Sequence, residues 1–228
     1  MSTSPLLPWP PRAWTPLAVV FDCDGLLVDT ESPWIELQDA YLASHGAALE
    51  PEVRRRITGR SMETVITTIA ETVGRDAHAV AEDLLALHTE QAGAELIVMP
   101  GALETVRAAA AKVPVAIASN SPRAMLDEKL EALGLVGLID ASVAVEDVEH
   151  PKPAPDLYAR GAELLGADPA QTLALDDSET GARSATAAGL RLIAVPSLPG
   201  QEPEAAVTLS SLEDPDLHAW IDAWETRR

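Results

Sequence analysis

The sequence predicts an α/β protein in which an open parallel sheet is interrupted, directly after its first strand, by an all-helical insertion. Three observations carry that prediction. From Met99 onward, short apolar runs alternate with helical stretches of ten or more residues, a pattern that calls for a parallel sheet covered on both faces. One further apolar run stands alone near the N-terminus, at the start of the segment LAVVFDCDGLLVDT, residues 17–30. Between the two, residues 33–95 show helical periodicity and no strand pattern.

Taken in order, residues 1–16 hold Pro5, Pro8, Pro10, Pro11 and Pro16 beside Trp9 and Trp14 and read as an irregular leader, its tryptophans packing on the chain's own surface. Residues 17–30 open as a buried strand that carries Asp22 and Asp24 to its C-terminal edge, followed at once by Gly25. Side chains alternate along a strand, so the two carboxylates share a face and Cys23 points the other way. Pro33 can open a helix at its first position, with Trp34, Leu37, Tyr41 and Leu42 following at helical spacing; further helices are predicted at 62–73 and 77–92. Beyond Pro100-Gly101 the prediction runs helix 101–111, strand 113–119, helix 122–133, strand 141–145, helix 155–165, strand 172–177, helix 179–188 and strand 190–195. The whole is a Rossmann-like core made of residues 17–30 and 99–228, split by a helical domain over 31–98.

Charge and cysteine content exclude several functions. Sixteen basic residues against thirty-six acidic ones give a net charge of −20, a field that repels nucleic acid and anionic membranes and makes any anion site depend on a local cation. Cys23 is the sole cysteine, so the chain has no internal disulfide and no thiolate metal cluster. In a buried strand it reads as a small core residue rather than a nucleophile. The five histidines, His45, His78, His88, His150 and His218, are too scattered to suit zinc. No apolar stretch approaches a membrane span and no signal peptide is evident, so a soluble, cytoplasmic protein is expected; a helical insertion that can cover the site makes a monomer workable without requiring one.

Open parallel sheets bind ligands beyond the C-terminal ends of their strands. Four polar clusters fall near such ends: Asp22 with Asp24, Ser119 with Asn120, Lys152, and Asp176 with Asp177. Neighbouring carboxylates repel one another and imply a compensating cation. A carboxylate about 4 Å from a phosphate oxygen feels repulsion of about 4 kcal/mol at an effective dielectric near 20, so attack on phosphorus needs a divalent ion and a lysine. Oxygen ligands suit Mg2+, for which Asp22, Asp24 through its backbone carbonyl, and Asp177 are candidate ligands, with Asp176 beside them. Lys152 lies between two prolines in HPKPAP, whereas Lys129 falls on a helix predicted to be exposed.

The ordered set DCDGLLVDT, IASN, HPKPAP and ALDDSETG resembles the four motifs of the haloacid dehalogenase-like hydrolases over about residues 17–200, and the helical insertion resembles that family's C1 cap. The subgroup resembled is the beta-phosphoglucomutase-like phosphatases. The resemblance implies Asp22 as a nucleophile forming an aspartyl-phosphate and Asp24 as general acid and base. It also implies Ser119 and Asn120 as phosphate contacts, Lys152 as the neutralising cation, and Asp177 with Asp176 at the metal. Glu31, Trp34 and Arg60, the last within Gly59-Arg60-Ser61, would face the substrate from the cap, and Arg123 is a further candidate. The function implied is a Mg2+-dependent phosphatase of a small phosphate ester such as a sugar phosphate. A phosphomutase or a non-catalytic binding protein on the same scaffold are the alternatives. Dehalogenation is disfavoured because it does not need the acid/base Asp24. Mutases of the subgroup carry a histidine twelve residues after the nucleophile, where this sequence has Trp34, as the sugar-phosphate phosphatases do.

Overall fold

The structure is a computed structural model that describes residues 14–58, 62–90 and 96–227. Among them, strands β1 (Ala18–Phe21), β2 (Val115–Ala118), β3 (Ala141–Val143), β4 (Thr172–Asp176), β5 (Arg191–Ala194) and β6 (Val207–Thr208) form one sheet. Their order is β3-β2-β1-β4-β5-β6 and every pair is parallel. The helices are α1 (Glu31–Ser44), α2 (Pro51–Ile57), α3 (Met62–Val73), α4 (Ala77–Glu90), α5 (Ala102–Ala110), α6 (Arg123–Ala132), α7 (Asp156–Leu164), α8 (Glu179–Ala187) and α9 (Pro215–Asp222).

The central strands are continuous apolar runs because both faces are covered. Val19, Phe21, Ile117, Leu173 and Leu175 point to one face and pack with Val106 of α5, Leu126 and Leu130 of α6 and Leu217 of α9. Their alternates Val20, Ala116, Ala118 and Ala174 meet Leu157 and Tyr158 of α7 and Ala182 and Ala185 of α8. The chain leaves β1 for β2 and β3 on one side, then returns to β4 on the other. The ends of β1 and β4 therefore flank the point where strand order reverses, the place where such sheets bind ligands.

The chain divides into two compact units: residues up to Val28 together with those from Leu96, and Asp29–Glu95. The second unit has its own core, in which Leu37, Tyr41 and Leu42 of α1, Ile57 of α2, Val65 and Ile69 of α3, and Val80 and Leu84 of α4 pack together. In the first unit, Trp14 stacks on Trp220 with centroids 6.1 Å apart, and Arg191 lies 4.5 Å over the Trp14 ring. This end of the leader packs on the chain's own surface as expected; Trp9 lies outside the described residues. No helix among the described residues is long and apolar enough to cross a membrane.

The structure departs from the sequence reading in its short elements. β1 ends at Phe21, so Asp22 and Asp24 follow the strand rather than lying within it. Asp22 still extends the ladder, its N–H donating to the Leu175 carbonyl at 2.9 Å. α1 begins at Glu31, which puts Pro33 at its third rather than its first position; a proline is tolerated there because first-turn N–H groups lack helical partners anyway. α2, β6 and α9 were not expected. β6 spans two residues and shows no period. α9 does announce itself, through Asp214 capping the N–H groups of Asp216 and Leu217 with Pro215 at the first helical position.

Candidate active site

Asp22 and Asp176, at the ends of neighbouring strands, converge on one lysine. The Lys152 ammonium donates to Asp22 Oδ1 and, at 2.9 Å, to Asp176 Oδ2. All three residues are buried, at 5%, 1% and 8% exposure for Asp22, Asp176 and Lys152 taken whole. Asp176 is held on both oxygens: Tyr158 Oη donates to Oδ2 at 2.6 Å, and the Ser178 N–H and hydroxyl both donate to Oδ1 at 2.9 Å. The Lys152 ammonium also stands 4.7 Å from the centre of the Tyr158 ring, a placement that favours the cation. Asn120 fixes the lysine's backbone from the next strand end, its Oδ1 accepting from the Lys152 N–H at 2.9 Å and its amide donating to the Lys152 carbonyl at 3.3 Å.

Asp177, next to Asp176, accepts a 2.5 Å hydrogen bond from the Ser197 hydroxyl on Oδ2. Oxygens of Asp22, Asp176 and Asp177 lie within 4.8 Å of one another, all three residues buried. Burial pushes the Asp22 carboxyl well above its ordinary range, and the neighbouring Asp176, Asp177 and Asp24 charges add to the rise against the opposing pull of Lys152. Burial likewise raises Asp177 to about 7, with Asp176 adding to the rise while the Ser197 hydrogen bond and Lys152 oppose it. Burial alone would depress Lys152, but the charges of Asp176 and Asp22 outweigh it and hold the ammonium protonated. Three buried carboxylates against one lysine leave an excess of negative charge whose donors are oxygens only, which fits a hard divalent cation. With Asp176 engaged on both oxygens, Asp22 and Asp177 are the more available ligands.

The Asp24 carboxylate stands apart from that group. Its Oδ2 accepts from the hydroxyls of Ser119 and Ser121, each at 2.8 Å, and its Oδ1 accepts from the Lys129 ammonium. Lys129 also donates to the Ser121 hydroxyl at 3.0 Å, and the Ser121 N–H donates to Ser119 Oγ at 2.9 Å. Burial works to raise Asp24, but the Lys129 charge and the hydrogen bonds from Lys129, Ser121 and Ser119 hold it below the ordinary carboxylate value. The expectation of an exposed Lys129 is thus corrected: the residue is 8% exposed. Leu126 and Leu130 of α6 are buried three residues before it and one after it, so helical spacing already puts Lys129 on the covered face.

Two glycines permit this crowding. At Gly25, φ is +85°, and a Cβ would fall 2.2 Å from Asp177 Oδ2; a Cβ at Gly181 would fall within 2.0 Å of the Asp176 carboxylate. Neither place admits a side chain without moving a site carboxylate. Cys23, between the two aspartates in sequence, is buried, and burial together with the Asp24 and Asp22 charges pushes its thiol well up. A thiol so placed is a poor nucleophile.

Of the predicted site residues, Asp22, Asp24, Ser119, Asn120, Lys152, Asp176 and Asp177 are thus brought together at one sheet edge. Arg123 is not: its guanidinium binds Asp127, Asp147 and Ser142. Glu31 and Trp34 lie in α1 of the second unit, where the Trp34 ring meets His88 edge-on at 6.0 Å. Arg60, with Gly59 and Ser61, lies outside the described residues. The sequence reading missed Ser121, Lys129, Tyr158, Ser178 and Ser197. Lys129 carried a signal in its helical spacing and Ser178 in its place between Asp177 and a predicted helix, where a serine caps; Ser121, Tyr158 and Ser197 carried none.

A family model described as haloacid dehalogenase-like hydrolase matches residues 16–189. The chain is 31% identical over 210 residues to hexitol phosphatase B of Escherichia coli, an alignment covering 87% of this chain and 93% of that protein. It is 31% identical over 209 residues to the bifunctional riboflavin kinase/FMN phosphatase of Arabidopsis thaliana, covering 89% of this chain but 55% of that protein, so the chain spans little more than half of that relative's length. Among solved structures, a HAD family hydrolase from Deinococcus radiodurans R1 with bound phosphate and sodium gives a TM-score of 0.73 at 31% identity, covering 95% of this chain and 100% of that one.

Proposed function

The chain belongs to the haloacid dehalogenase-like hydrolase family, and on that premise we propose that it is a Mg2+-dependent phosphatase of a small phosphorylated metabolite, with sugar phosphates as the substrate class. The observation that carries the proposal is the division of labour between two carboxylates two residues apart. Asp22 is paired with Lys152 among other carboxylates, while Asp24 is held separately by Lys129 and two serines. This difference supports Asp22 as the group that attacks phosphorus and Asp24 as the group that handles a proton.

In the first step an Asp22 oxygen attacks phosphorus as the bond from phosphorus to the substrate oxygen breaks, and that oxygen takes a proton from the Asp24 carboxyl to leave as the alcohol. In the second step Asp24, now a carboxylate, takes a proton from water as that water's oxygen attacks phosphorus. The bond from phosphorus to Asp22 breaks, releasing inorganic phosphate and restoring the Asp22 carboxylate. Lys152 neutralises the nucleophile and the incoming phosphate, and Asp176, Tyr158 and Asn120 hold Lys152 in place. The backbone beside Asn120 would contact phosphate oxygens; Ser119, whose one hydroxyl hydrogen is donated to Asp24, would join it only by turning that hydroxyl away from the carboxylate. Asp22, the Asp24 carbonyl and Asp177 would hold Mg2+, whose charge would screen the nucleophile from the phosphate. The resemblance to the family assigns substrate selection to the helical insertion, residues 31–98, for which Glu31, Trp34 and Arg60 are the candidates.

The hexitol phosphatase relative supports a sugar phosphate, and the FMN phosphatase name makes a flavin phosphate the next ester to try. The test is a panel of hexose, hexitol and flavin phosphates, with inorganic phosphate and isomeric sugar phosphate both measured. Phosphate released should equal substrate consumed, and a chelator should abolish turnover. Isomer formation faster than phosphate release would replace the phosphatase by a mutase. Full activity in excess chelator would remove the metal.

A further inference from the structure

Lys129 lies outside all four motif segments, yet it makes its ion pair with the carboxylate placed to handle the proton. Lysine is among the residues least often buried. This one is 8% exposed on the covered face of α6, and its ammonium is taken by Asp24 Oδ1 and, at 3.0 Å, by Ser121 Oγ. The other buried lysine of the site, Lys152, serves Asp22 and Asp176 instead. The two lysines thus divide the two aspartates between them.

We propose that Lys129 is the positioning residue of the acid/base, fixing the Asp24 carboxylate directly at Oδ1 and, through Ser121, at Oδ2. The inference rests on the phosphatase reading and adds to it a residue that touches neither phosphate nor nucleophile. An ionised carboxylate offers about four acceptor positions. Among the described residues, Ser119, Ser121 and Lys129 fill three of them, which leaves one on Oδ1, the oxygen that Lys129 holds. That oxygen is the one free to carry the proton to the leaving group. As the proton departs, negative charge develops on Asp24, and donors already in place stabilise it without reorganising. A lysine that bound phosphate instead would need free donors directed at the substrate, and two of the three on Lys129 are occupied within the network.

The test separates positioning of a proton donor from charge and from folding. A p-nitrophenolate leaving group needs little protonation, whereas an alkoxide needs a general acid, and kcat/KM reports the steps up to departure of that group. In the full chain with Mg2+, Lys129→Met should lower kcat/KM about 100-fold for the fastest-hydrolysed hexose or hexitol phosphate, the scale of a lost general acid. It should lower kcat/KM less than about threefold for p-nitrophenyl phosphate, and inhibition by inorganic phosphate should be unchanged. Ser121→Ala, which removes the hydroxyl shared by Lys129 and Asp24, should show the same split at smaller size, and it decides the matter alone if Lys129→Met does not fold. Lys112→Ala, whose ammonium binds the Asp222 carbonyl away from the site, should leave both constants unchanged. Equal losses on the two esters, weakened phosphate inhibition, or a gain on the alkyl ester would each overturn the proposal. Absence of wild-type hydrolysis of both esters would instead overturn the phosphatase reading, and this inference with it.

Discussion

The two units of the chain treat charge in opposite ways. In the sheet unit the ion pairs at the strand ends are buried: the Lys152 side chain is 5% exposed, with Asp22 and Asp176 at 7% and 0%. In Asp29–Glu95 the pairs Arg55–Glu52 and Arg75–Asp83 lie at the surface, with side chains 68% and 81% and 36% and 42% exposed, and the most covered arginine, Arg54 at 17%, pairs with an Asp39 that is 59% exposed. Surface pairs are screened by water and salt and contribute little. Buried charges lose their hydration, so each depends on its partner. The sheet unit therefore holds a set of mutually dependent charges, which favours chemistry over stability, and the helical unit holds exposed pairs such as Arg55–Glu52 that can be changed one at a time.

The largest effect expected from this difference is on rate. Asp22→Asn should reduce turnover at least about 1000-fold, because an amide is not an adequate nucleophile. The unfolding midpoint should hold or rise, because the substitution removes a charge that burial and three neighbouring carboxylates disfavour. Retention of a tenth of the wild-type rate would reject Asp22 as the nucleophile, and a large loss of stability would show that its charge supports the fold.

Next in size, Lys152→Met should abolish activity and also lower stability by about 3–5 kcal/mol, since it strands buried carboxylates without their cation. Chemical denaturation of the metal-free chain measures the second effect. A variant as stable as wild type would mean that the Asp22 and Asp176 charges are relieved by some other route.

A smaller effect sharpens the comparison through pH. Asp177 sits at about 7 against an ordinary 3.8, so between those values the folded, metal-free chain holds more protons than the unfolded one. Stability then falls as pH rises through that window. Cation binding requires the ionised carboxylates, so Mg2+ should raise the unfolding midpoint more at about pH 8 than at about pH 5. Equal shifts at both pH values would place the cation elsewhere, and Asp177→Asn should remove most of the difference.

The smallest effect belongs to the helical unit. Arg55→Ala breaks an exposed pair three residues apart in α2 and should cost about 0.5 kcal/mol or less. A loss comparable to that of Lys152→Met would erase the contrast between the units.

Much of this could be read from the sequence, and the limits of that reading follow from range. The strands of the sheet's centre were legible because a strand buried on both faces is an unbroken apolar run, as in AVVF and VAIA. β6 was not, because two residues carry no period. Asp22, Ser119 and Asp176 were legible because each lies at or just past the end of a strand, a position fixed by a few neighbouring residues.

By itself, then, the sequence determined the α/β class, the longer helical stretches of the insertion and the strand ends at which the polar clusters fall, since each follows from local period and from where an apolar run stops. Tertiary structure alone decided the pairings. Lys129 meets Asp24 across 105 residues of chain and Asn120 clamps Lys152 across 32. Helical spacing could say that Lys129 faces inward. Only the packing of α6 against the sheet, beside the loop that follows β1, determines that what it faces is a carboxylate.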